Sequence, residues 1–214
     1  SSDDVHEGEL LCPICGCDYP IRGGIARVLP RETAVHIDGH GGYNAPLMLS
    51  AYLWSHFSDL MGDVRATDAY GVWAANIPSS QGNALDIGCA VGRLSFELSR
   101  THDRVIGVDT SPAFIAKARE VCRSKEVDFD LVVEGHLCEH RHLSLDRKWN
   151  FEHVDFIVAD ALALPFPGQN FAGAAAINLL EKVPNPIKHL KEVNRVLKAD
   201  ESMFLFSDPF SWDP

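Results

Sequence analysis

"ALDIGCAVGR", residues Ala84–Arg93, has the pattern of a strand that passes through a tight turn into a helix. The apolar first half favours a strand, and Gly88 and Gly92 allow the backbone to turn sharply. Such a unit places backbone N–H groups and the positive end of a helix dipole at the carboxyl edge of a sheet. Open α/β sheets bind ligands at that edge, so we expect a ligand site in this turn.

The cysteine inside this turn, Cys89, has two interpretations. A helix N-terminus lowers the pKa of a thiol, so Cys89 could act as a nucleophile if its substrate could approach it. Alternatively the backbone of the turn holds the ligand, and the side chain at this position only has to be small. We favour the second interpretation, in which the thiol is incidental.

The chain around this turn predicts the fold class. From Ala84 onward short apolar runs alternate with amphipathic segments, the pattern of βαβ units. Two of the predicted helices have start signals, because Ser111 precedes Pro112 and Asn185 precedes Pro186. The predicted strands are "NALDIGC", "RVIGVD", "VDFIVAD", "AGAAAINLL" and "SMFLFSD". We therefore predict an α/β fold with a Rossmann-like, doubly wound and mostly parallel sheet.

Smaller parts precede this core. Residues 1–34 form a Cys-rich element, and residues 35–80 hold a Gly- and His-rich linker and N-terminal helices, of which one is predicted from about Ala45 to Leu60. Residues 81–214 form the predicted ligand-binding domain. An insertion at 125–152 is too long for a simple connection and can fold as a hairpin.

Composition limits the classes of partner. The 214 residues include 30 acidic and 19 basic side chains, a net charge of −11 that would repel a nucleic acid backbone. The apolar runs are too short to span a bilayer, and the acidic start has no signal-peptide core. We therefore expect a cytoplasmic protein without a nucleic acid or membrane partner. Six cysteines in such a chain do not indicate a disulfide scaffold.

Three acids end successive predicted strands. Asp86 begins the order D-x-G-x-A-x-G, Asp109 ends "RVIGVD", and Asp160 lies in "VADALALPF". A nicotinamide dinucleotide fingerprint would need glycine where this chain has Ala90 and Arg93, so that cofactor does not fit. A carboxylate at the position of Asp109 can accept hydrogen bonds from both hydroxyls of a ribose.

This set of motifs resembles the class I S-adenosylmethionine-dependent methyltransferases, and "DALALPF" is similar to the methyltransferase type 11 branch that includes quinone-biosynthesis C-methyltransferases. The resemblance covers roughly Ala84 to Asp208. It implies that S-adenosylmethionine lies with its methionine part over the turn, its ribose on Asp109 and its adenine near Asp160. The residues it implies for cofactor binding are Asp86, Gly88, Cys89, Ala90, Gly92, Asp109, Thr110, Asp160, Ala161, Asn178 and Leu179.

The chain departs from that family in three places. Ala90 replaces a glycine that is usual there, which the fold tolerates if the φ of this residue is negative. "KADESMF" lacks the Gly-Gly turn that commonly precedes the fifth strand. The sequence stops at Pro214 directly after that strand, so we expect a truncated chain or a sheet without the family's final β-hairpin.

The Cys-rich start, "CPICGCDYPIRGGIARVLP", resembles the second half of a small zinc-ribbon domain that is fused to, or partnered with, several methyltransferases. The resemblance implies Cys12 and Cys15 as zinc ligands, but a structural zinc needs four ligands. A zinc-stapled element and a metal-free hairpin both remain open. We do not expect zinc from this chain alone.

Candidates for binding or activating a methyl acceptor are more scattered. The catalytic candidates are Tyr52, His56 and Asn178, and further pocket candidates are Tyr43, His136, His140 and His142. The last three histidines alternate with other residues in the insertion, which permits a metal site but favours an exposed hairpin face.

A second resemblance concerns the acceptor. "EGHLCEHRHLSL", "INLLEKVPNP" and "SDPFSW" are similar to the methyltransferase domain that N-methylates mercaptohistidine in ovothiol synthesis. It implies a small imidazole or thiol acceptor, with Tyr52 and the insertion closing the pocket. We therefore predict an S-adenosylmethionine-dependent methyltransferase acting on a small molecule. The alternative is a non-catalytic nucleotide-binding or protein-docking module that keeps the fold.

Overall fold

The computed structural model describes residues 5–34, 42–79, 82–145 and 148–209, so most of the predicted Gly- and His-rich linker lies outside the described residues. The strands are β1 (Gly8–Leu11), β2 (Asp18–Arg22), β3 (Ile25–Val28), β4 (Asn83–Ile87), β5 (Arg104–Asp109), β6 (Glu126–Glu134), β7 (Leu137–Ser144), β8 (Val154–Ala159), β9 (Phe171–Ile177) and β10 (Met203–Ser207). The α-helices are α1 (Arg31–Ala34), α2 (Pro46–Phe57), α3 (Ala69–Ala75), α4 (Arg93–Leu98), α5 (Pro112–Ser124) and α6 (Pro186–Val196). Short 3-10 helices cover Gly42–Asn44 and Phe151–His153.

Eight strands form one sheet in the order β1-β2-β3-β8-β5-β4-β9-β10. All neighbours from β3 to β10 are parallel, whereas β1, β2 and β3 pair antiparallel. In the register at the centre, Asp86 of β4 lies opposite Gly107 of β5, which lies opposite Phe156 of β8. A Cβ added at Gly107 would lie 2.5 Å from Phe156 Cδ1, so this approach requires glycine.

Helices cover both faces of the sheet. On one face Leu85 of β4 packs in the same core as Val193 of α6. On the other face Phe57 of α2, Phe96 of α4 and Ala118 of α5 share a core. Because the central strands are buried on both sides, they have near-continuous apolar sequences rather than alternating ones. The predicted α/β fold with a doubly wound, mostly parallel sheet is confirmed.

The predicted helix starts are capped as their sequences indicate. Ser111 Oγ accepts a hydrogen bond from the N–H of Phe114 at 3.2 Å, and Asn185 Oδ1 accepts one from Lys188 at 2.9 Å. The helix predicted from Ala45 to Leu60 ends earlier, at Phe57, and α3 lies in the region 35–80 where the sequence predicts N-terminal helices without giving the bounds of this one. Within the described part of the chain, none of the helices is both long and apolar enough to cross a membrane.

The Cys-rich start continues the central sheet. Arg27 of β3 lies opposite Val158 of β8, and Val28 lies opposite Ala159. This pairing places α1 above the carboxyl ends of the strands, where Thr33 Oγ1 donates a hydrogen bond to Asp160 Oδ2 at 2.8 Å. The domain limits at residues 34 and 80 stay a prediction.

The insertion forms an antiparallel hairpin of β6 and β7, as its sequence suggests. Val127 and Phe129 of β6 are buried in the core. Ser50 Oγ of α2 donates a hydrogen bond to the carbonyl oxygen of Asp130 at 2.7 Å. The hairpin therefore supports α2 from outside and fixes the helix that carries Tyr52 and His56.

Candidate functional site

A cavity of about 790 Å³ lies at the carboxyl ends of β4, β5, β8 and β9. Residues of α1, α2, α3 and the start of α5 form its other walls. The strand order reverses between β4 and β9, and open α/β sheets bind their ligands at such a switch point. The volume lies in the range of ligand pockets and accommodates a nucleoside-sized cofactor beside a small second molecule.

The first residues of the turn after β4 form part of the lining of this cavity. Gly88 and Gly92 have φ values of 73° and 88°, in the left-handed region that favours glycine. Ala90 also has a positive φ, 46°, so the condition of a negative value is not met. A non-glycine residue in this region costs of the order of 1–2 kcal/mol. A hydrogen bond at 3.0 Å from the Ala90 N–H to Asp109 Oδ2 holds the residue in this conformation.

The N–H groups of this turn are less available than we expected. The N–H groups of Gly88 and Cys89 both donate to the carbonyl oxygen of Val108, at 2.8 and 3.0 Å. The N–H group of Ala90 donates a hydrogen bond to Asp109 Oδ2. The expectation that the turn offers free N–H groups is therefore wrong for these three residues, which instead tie the turn to β5.

Asp86 lies buried beneath the turn. Its side chain is 2% exposed, and its Oδ2 accepts a hydrogen bond from Ser95 Oγ at 2.7 Å. Burial raises the pKa of this carboxyl to about 7, while the hydrogen bond from Ser95 opposes the rise. A cation bound in the cavity would favour the ionised form of Asp86.

Asp109 ends β5 at the edge of the cavity. Its Oδ1 accepts a hydrogen bond from the N–H of Ser111 at 2.8 Å, and its Oδ2 accepts the one from Ala90. Desolvation raises the pKa of Asp109, and these N–H groups oppose the rise. The carboxylate is therefore held in one orientation, and Thr110 beside it also lines the cavity.

Asp160 ends β8 and faces the same cavity. Its Oδ1 accepts a hydrogen bond from the N–H of Leu162 at 2.8 Å, and its Oδ2 accepts the one from Thr33. Ala161 is buried beside it, and the Ala161 carbonyl oxygen lies 3.2 Å from His189 Nδ1 of α6. The structure thus brings Asp86, Asp109 and Asp160 to one edge, as the sequence predicts.

Asn178 and Leu179 follow β9 on the opposite side of the turn. Asn178 has a φ of 52°. A hydrogen bond links its side chain to β10, because Asn178 Oδ1 accepts from Ser207 Oγ at 2.8 Å. Leu179 closes over the turn, and a Cβ at Gly88 would lie 3.0 Å from Leu179 Cδ1. Both residues line the cavity.

Cys89 is not an accessible thiol. It is 3% exposed, and burial together with Asp86 and Asp109 raises the pKa of its thiol well above the usual value. A nucleophilic cysteine needs the opposite shift and an open approach. The geometry therefore agrees with a structural role for this small side chain.

Aromatic side chains form another part of the cavity wall. The predicted candidates Tyr43, Tyr52 and His56 all line the cavity. Three further rings there, Tyr70, Trp73 and Phe114, are not among the predicted residues. The signal that could have found Tyr70 and Trp73 is their i, i+3 spacing, which places both on one face of α3.

The histidines of the insertion lie elsewhere. His136, His140 and His142 are exposed and do not line the cavity, so their candidacy as pocket residues is wrong. His140 Nδ1 lies 3.2 Å from Asp130 Oδ1, and His142 Nδ1 lies 3.3 Å from Asp128 Oδ2 across the hairpin. The reason is the register, which directs these side chains to solvent while Val127 and Phe129 face the core.

The N-terminal thiols lie close together in the loop between β1 and β2. Hydrogen bonds from Cys17 and Cys12 lower the pKa of the exposed Cys15 thiol to about 7. Within the ranges that the structure describes, no three His, Cys, Asp or Glu side chains are arranged to hold a metal ion. Zinc at Cys12 and Cys15 stays a prediction, which a metal assay on the purified protein tests.

The charges around the cavity suit S-adenosylmethionine, which carries an ammonium and a sulfonium group. Among the described residues, the acidic side chains that line the cavity are Glu32, Asp86, Asp109 and Asp160. The lysine in the lining, Lys182, lies 2.5 Å from Glu181 Oε1. An acidic cavity with oriented carboxylates at two strand ends fits a cationic nucleoside.

Comparisons with known proteins agree with this fit. The family described as "Methyltransferase domain" matches residues 85–205, more than half of the chain. The ubiquinone/menaquinone biosynthesis C-methyltransferase UbiE of Rickettsia massiliae is 26% identical over 146 residues, and that of Rickettsia bellii is 26% identical over 144 residues. Each match covers 65% of this chain and 51% of the relative, so the chain spans about half the length of these relatives.

Solved structures show the same fold. The YcgJ protein of Bacillus subtilis aligns with a TM-score of 0.51 at 24% identity, over 65% of this chain and 49% of that protein. A chain in the complex of the Haloferax volcanii Trm112 methyltransferase activator with a methyltransferase aligns with a TM-score of 0.50 at 20% identity, over 73% and 57%. The family match and the fold together place this chain in the methyltransferase domain family, among the class I S-adenosylmethionine-dependent methyltransferases.

Proposed function

We propose that this protein transfers a methyl group from S-adenosylmethionine to a small molecule. The observation that carries the proposal is a single cavity that is lined both by two oriented carboxylates, Asp109 and Asp160, and by several aromatic side chains. The carboxylates fit a nucleoside, and the aromatic side chains leave room for a second, largely apolar molecule. The two halves meet at the residues of the turn that line the cavity, Gly88, Cys89 and Ala90, and at Asn178, whereas the predicted cofactor residue Gly92 packs against Phe156 instead of lining the cavity.

The cofactor half is argued from the strand ends. Asp109 is held by two backbone N–H groups and presents its carboxylate to a ribose. Asp160 is oriented by Thr33 and Leu162 and would accept a hydrogen bond from the adenine amino group. Leu179 and the turn leave space for the methionine part, and Asp86 beneath them supplies negative charge near its ammonium group.

When bound, S-adenosylmethionine would supply a methyl group on a positively charged sulfur. A lone pair of the acceptor would form the bond to the methyl carbon while the carbon–sulfur bond breaks and its electron pair stays on sulfur. The acceptor's proton would pass to water. The chain contributes by holding the acceptor close to the methyl group, which raises the effective concentration. Burial and the nearby Arg93 lower the pKa of His56 to about 3, and burial raises that of Tyr52 to about 12. Neither residue is suited to take up a proton at neutral pH, so we assign both to positioning.

The acceptor class follows from two lines of support. The mercaptohistidine resemblance favours an imidazole or thiol compound. The names of the relatives, which refer to ubiquinone and menaquinone biosynthesis, add a quinone-related ring as another candidate acceptor. The net charge of −11 argues against a nucleic acid acceptor, and a cytoplasmic location remains our prediction.

The experiment that tests the function is calorimetric titration with S-adenosylmethionine and S-adenosylhomocysteine, followed by an acceptor screen with methyl-labelled cofactor. We expect one cofactor per chain, and binding at least tenfold weaker for Asp109→Asn, because a hydrogen bond to a charged group contributes about 1.5–3 kcal/mol. Asp155→Asn is the matched control, since Asp155 is an exposed acid that pairs with Arg104 away from the cavity. Thermal denaturation of both variants separates lost binding from lost folding.

The outcomes of this experiment distinguish an active methyltransferase from a non-catalytic binding module. Failure of the wild-type protein to bind either cofactor form would overturn the proposal. Cofactor binding without methylation of any imidazole, thiol or quinol in the screen would favour the non-catalytic alternative.

A further inference from the structure

Three side chains on one face of α6 bind the backbone of the segment that follows β8. This segment, which we call the β8 loop, consists of residues 160–166 and begins with Asp160. The helix residues His189, Glu192 and Arg195 lie three positions apart, so they share one face of the helix. The first three residues of the β8 loop line the cavity. The helix therefore bears directly on one wall of the site.

Glu192 and Arg195 hold the far end of the β8 loop. Arg195 Nε and Nη2 donate to the two carboxylate oxygens of Glu192, both at 2.8 Å, which fixes the two side chains as one unit. Glu192 Oε2 accepts a hydrogen bond from the Leu164 N–H at 2.9 Å, and Arg195 Nη2 donates to the Leu164 carbonyl oxygen at 2.8 Å. Arg195 Nη1 donates to the carbonyl oxygen of Phe166 at 2.7 Å. This end of the loop is anchored without His189.

His189 binds the part of the loop that lines the cavity. The residue is fully buried, and its Nδ1 lies 3.2 Å from the carbonyl oxygen of Ala161. Burial lowers the pKa of His189, so the ring is neutral near pH 7 and has a single N–H group. Because a carbonyl oxygen only accepts hydrogen bonds, that N–H group is the one at Nδ1. Among the described residues Nε2 has no hydrogen-bond partner, so the ring acts through its contact with Ala161.

One peptide group joins this histidine to Asp160. It consists of the carbonyl of Ala161 and the N–H of Leu162, which a planar trans peptide holds in opposite directions. The carbonyl accepts from His189, and the N–H donates to Asp160 Oδ1 at 2.8 Å. A rotation of this peptide group would break both hydrogen bonds together. His189 is therefore coupled to the carboxylate of Asp160 through two hydrogen bonds and one rigid group.

The carboxylate of Asp160 is held from two sides. Its Oδ2 accepts from Thr33 Oγ1 of the N-terminal element, and its Oδ1 accepts from the N–H of Leu162, whose peptide group His189 holds in place. Each oxygen of an ionised carboxylate can accept a further hydrogen bond, so Asp160 can still accept one from a molecule in the cavity. The direction of that bond depends on the orientation of the carboxylate.

We propose that His189 is a positioning residue for the base of the bound nucleoside, and that it acts on the carboxylate of Asp160 through the Ala161–Leu162 peptide group. This inference rests on the proposed function, in which Asp160 accepts a hydrogen bond from the adenine amino group. A correctly oriented carboxylate accepts from that amino group but repels the carbonyl oxygen that replaces it in hypoxanthine. His189 does not line the cavity, so it influences the choice of base without touching the base.

Binding measurements with a pair of nucleosides test this role. The probes are S-adenosylhomocysteine and S-inosylhomocysteine, which differ in the amino group and carbonyl oxygen on one carbon of the base. We expect the wild type to bind the adenine compound at least about tenfold more tightly, because a site built around an N–H group rejects an analogue that lacks it. His189→Leu should lower this preference about three- to tenfold, because it weakens binding of the adenine compound and leaves that of the inosine compound nearly unchanged.

Two further variants separate positioning from support of the fold. His189→Asn keeps an N–H donor near the position of Nδ1, so it should retain the wild-type preference. His102 gives the matched control, because it is also a buried histidine whose Nδ1 lies 3.2 Å from a backbone carbonyl oxygen, that of Leu98, and it does not line the cavity. His102→Leu should lower the melting temperature without changing the preference. Thermal denaturation of each variant detects a loss of folding.

Hydrogen exchange on the cofactor-free protein measures the same coupling without a ligand. The Leu164 N–H, which Glu192 binds, serves as the internal reference. Relative to this reference, the Leu162 N–H should exchange faster in His189→Leu, because the peptide group is then free to turn away from Asp160. The relative rate should stay at the wild-type value in His189→Asn and in His102→Leu.

The results distinguish this inference from the proposed function. An unchanged preference in folded His189→Leu, or an equal loss of preference in His102→Leu, would overturn the role of His189. Equal binding of the two nucleosides by the wild type would overturn it too, since there would be no choice of base to influence. Failure of the wild type to bind S-adenosylhomocysteine would instead contradict the proposed function, and the relative exchange rate of Leu162 would still decide whether His189 holds the peptide group.

Discussion

Thr33 Oγ1 donates a hydrogen bond to Asp160 Oδ2 across a distance of 2.8 Å, which links the N-terminal element to the carboxylate at the end of β8. The two residues are 127 positions apart, and the pairing of β3 with β8 brings them together. The N-terminal element therefore forms part of the cofactor cavity. Its contribution is to orient the acid that we assign to the adenine.

Replacement of Thr33 tests this link. Thr33→Val keeps the shape of the side chain but removes the donor, so Asp160 loses one of its two orienting hydrogen bonds. We expect S-adenosylhomocysteine to bind about three- to tenfold more weakly, as lost hydrogen bonds of about 0.5–1.5 kcal/mol predict. Thr33→Ser keeps the hydroxyl and should bind like the wild type in calorimetry. Equal binding by all three proteins would mean that Thr33 does not influence the cofactor.

A buried ion cluster lies beside the cavity, where the guanidinium carbon of Arg93 is 5.8 Å from the centre of the Tyr70 ring. Arg93 is 1% exposed, and its Nη2 lies 3.1 Å from both Asp59 Oδ2 and Glu97 Oε1. Arg93→Met leaves the carboxylate of Asp59 without this partner and leaves Glu97 with Arg100 alone, so we expect the free energy of unfolding to fall by about 3 kcal/mol. Arg104→Met, which breaks the exposed pair with Asp155, should change it by less than about 1 kcal/mol. Urea denaturation measures both, and equal losses would show that the buried cluster has no special role.

The stability of the fold should depend on pH through His56. Its pKa is lowered from 6.5 to about 3 in the folded protein, so between these values the unfolded chain binds a proton that the folded chain does not. The free energy of unfolding therefore falls as the pH decreases, by up to about 1.4 kcal/mol per pH unit. Denaturation at pH 7, 6 and 5 should show a smaller fall for His56→Asn than for the wild type. Parallel curves would mean that His56 titrates normally.

Asp86 should have the opposite effect. Its pKa is raised to about 7, so between about pH 4 and 7 the folded protein binds the additional proton. This contribution makes the wild type more stable as the pH decreases through that range, and Asp86→Asn should lack it. Because S-adenosylmethionine is cationic, bound cofactor should reduce the effect. The measurement is the difference in unfolding free energy between wild type and variant at pH 7 and pH 5.

Cys15 and Cys89 should differ in their rates of alkylation. Cys15 is exposed and has a pKa of about 7, whereas Cys89 is 3% exposed with a raised pKa. Iodoacetamide at pH 7 should therefore modify Cys15 first and Cys89 only after unfolding, as peptide mass spectrometry would detect. Cys89→Ser should keep cofactor binding and activity. Rapid modification of Cys89 in the folded protein would restore the nucleophile interpretation.

The position of the three acids that we propose for the cofactor could be predicted, because it follows from local sequence. Asp86, Asp109 and Asp160 lie at the ends of parallel strands, and such ends meet at one edge of the sheet. The conformation of Ala90 could not be predicted in the same way. A hydrogen bond from its N–H to Asp109, on another strand, stabilises a φ that alanine alone disfavours.

The aromatic part of the cavity lining depends on contacts between distant segments. Tyr70 and Trp73 lie on α3, a helix of seven residues with no strong start signal, and Phe114 reaches the cavity from the start of α5. Thr33 reaches the cavity only because β3 pairs with β8. Long-range packing of this kind leaves no short motif, which is why the sequence indicated Tyr52 and His56 but not their neighbours.

The glycine beside Phe156 gives a further test of the central sheet. A Cβ at residue 107 would lie 2.5 Å from Phe156 Cδ1, so Gly107→Ala overfills the core and should cost about 1–3 kcal/mol of unfolding free energy. Combined with Phe156→Leu, the same substitution should cost clearly less than it does alone. Urea denaturation of the two single variants and the double variant measures this coupling, and strictly additive losses would contradict it.

The approach of Phe156 to β5 also constrains how this sequence can diverge. Gly107 has no positive φ that would require glycine, so its identity depends on the side chains that approach it, which are Phe156 across the strand pair and Ser95, whose Oγ would lie 2.9 Å from a Cβ. Relatives that keep a large ring at the position of Phe156 should keep glycine opposite it, and relatives with smaller residues at the positions of both Phe156 and Ser95 should tolerate alanine. The two positions should therefore vary together through evolution, even though neither touches the cofactor or the acceptor.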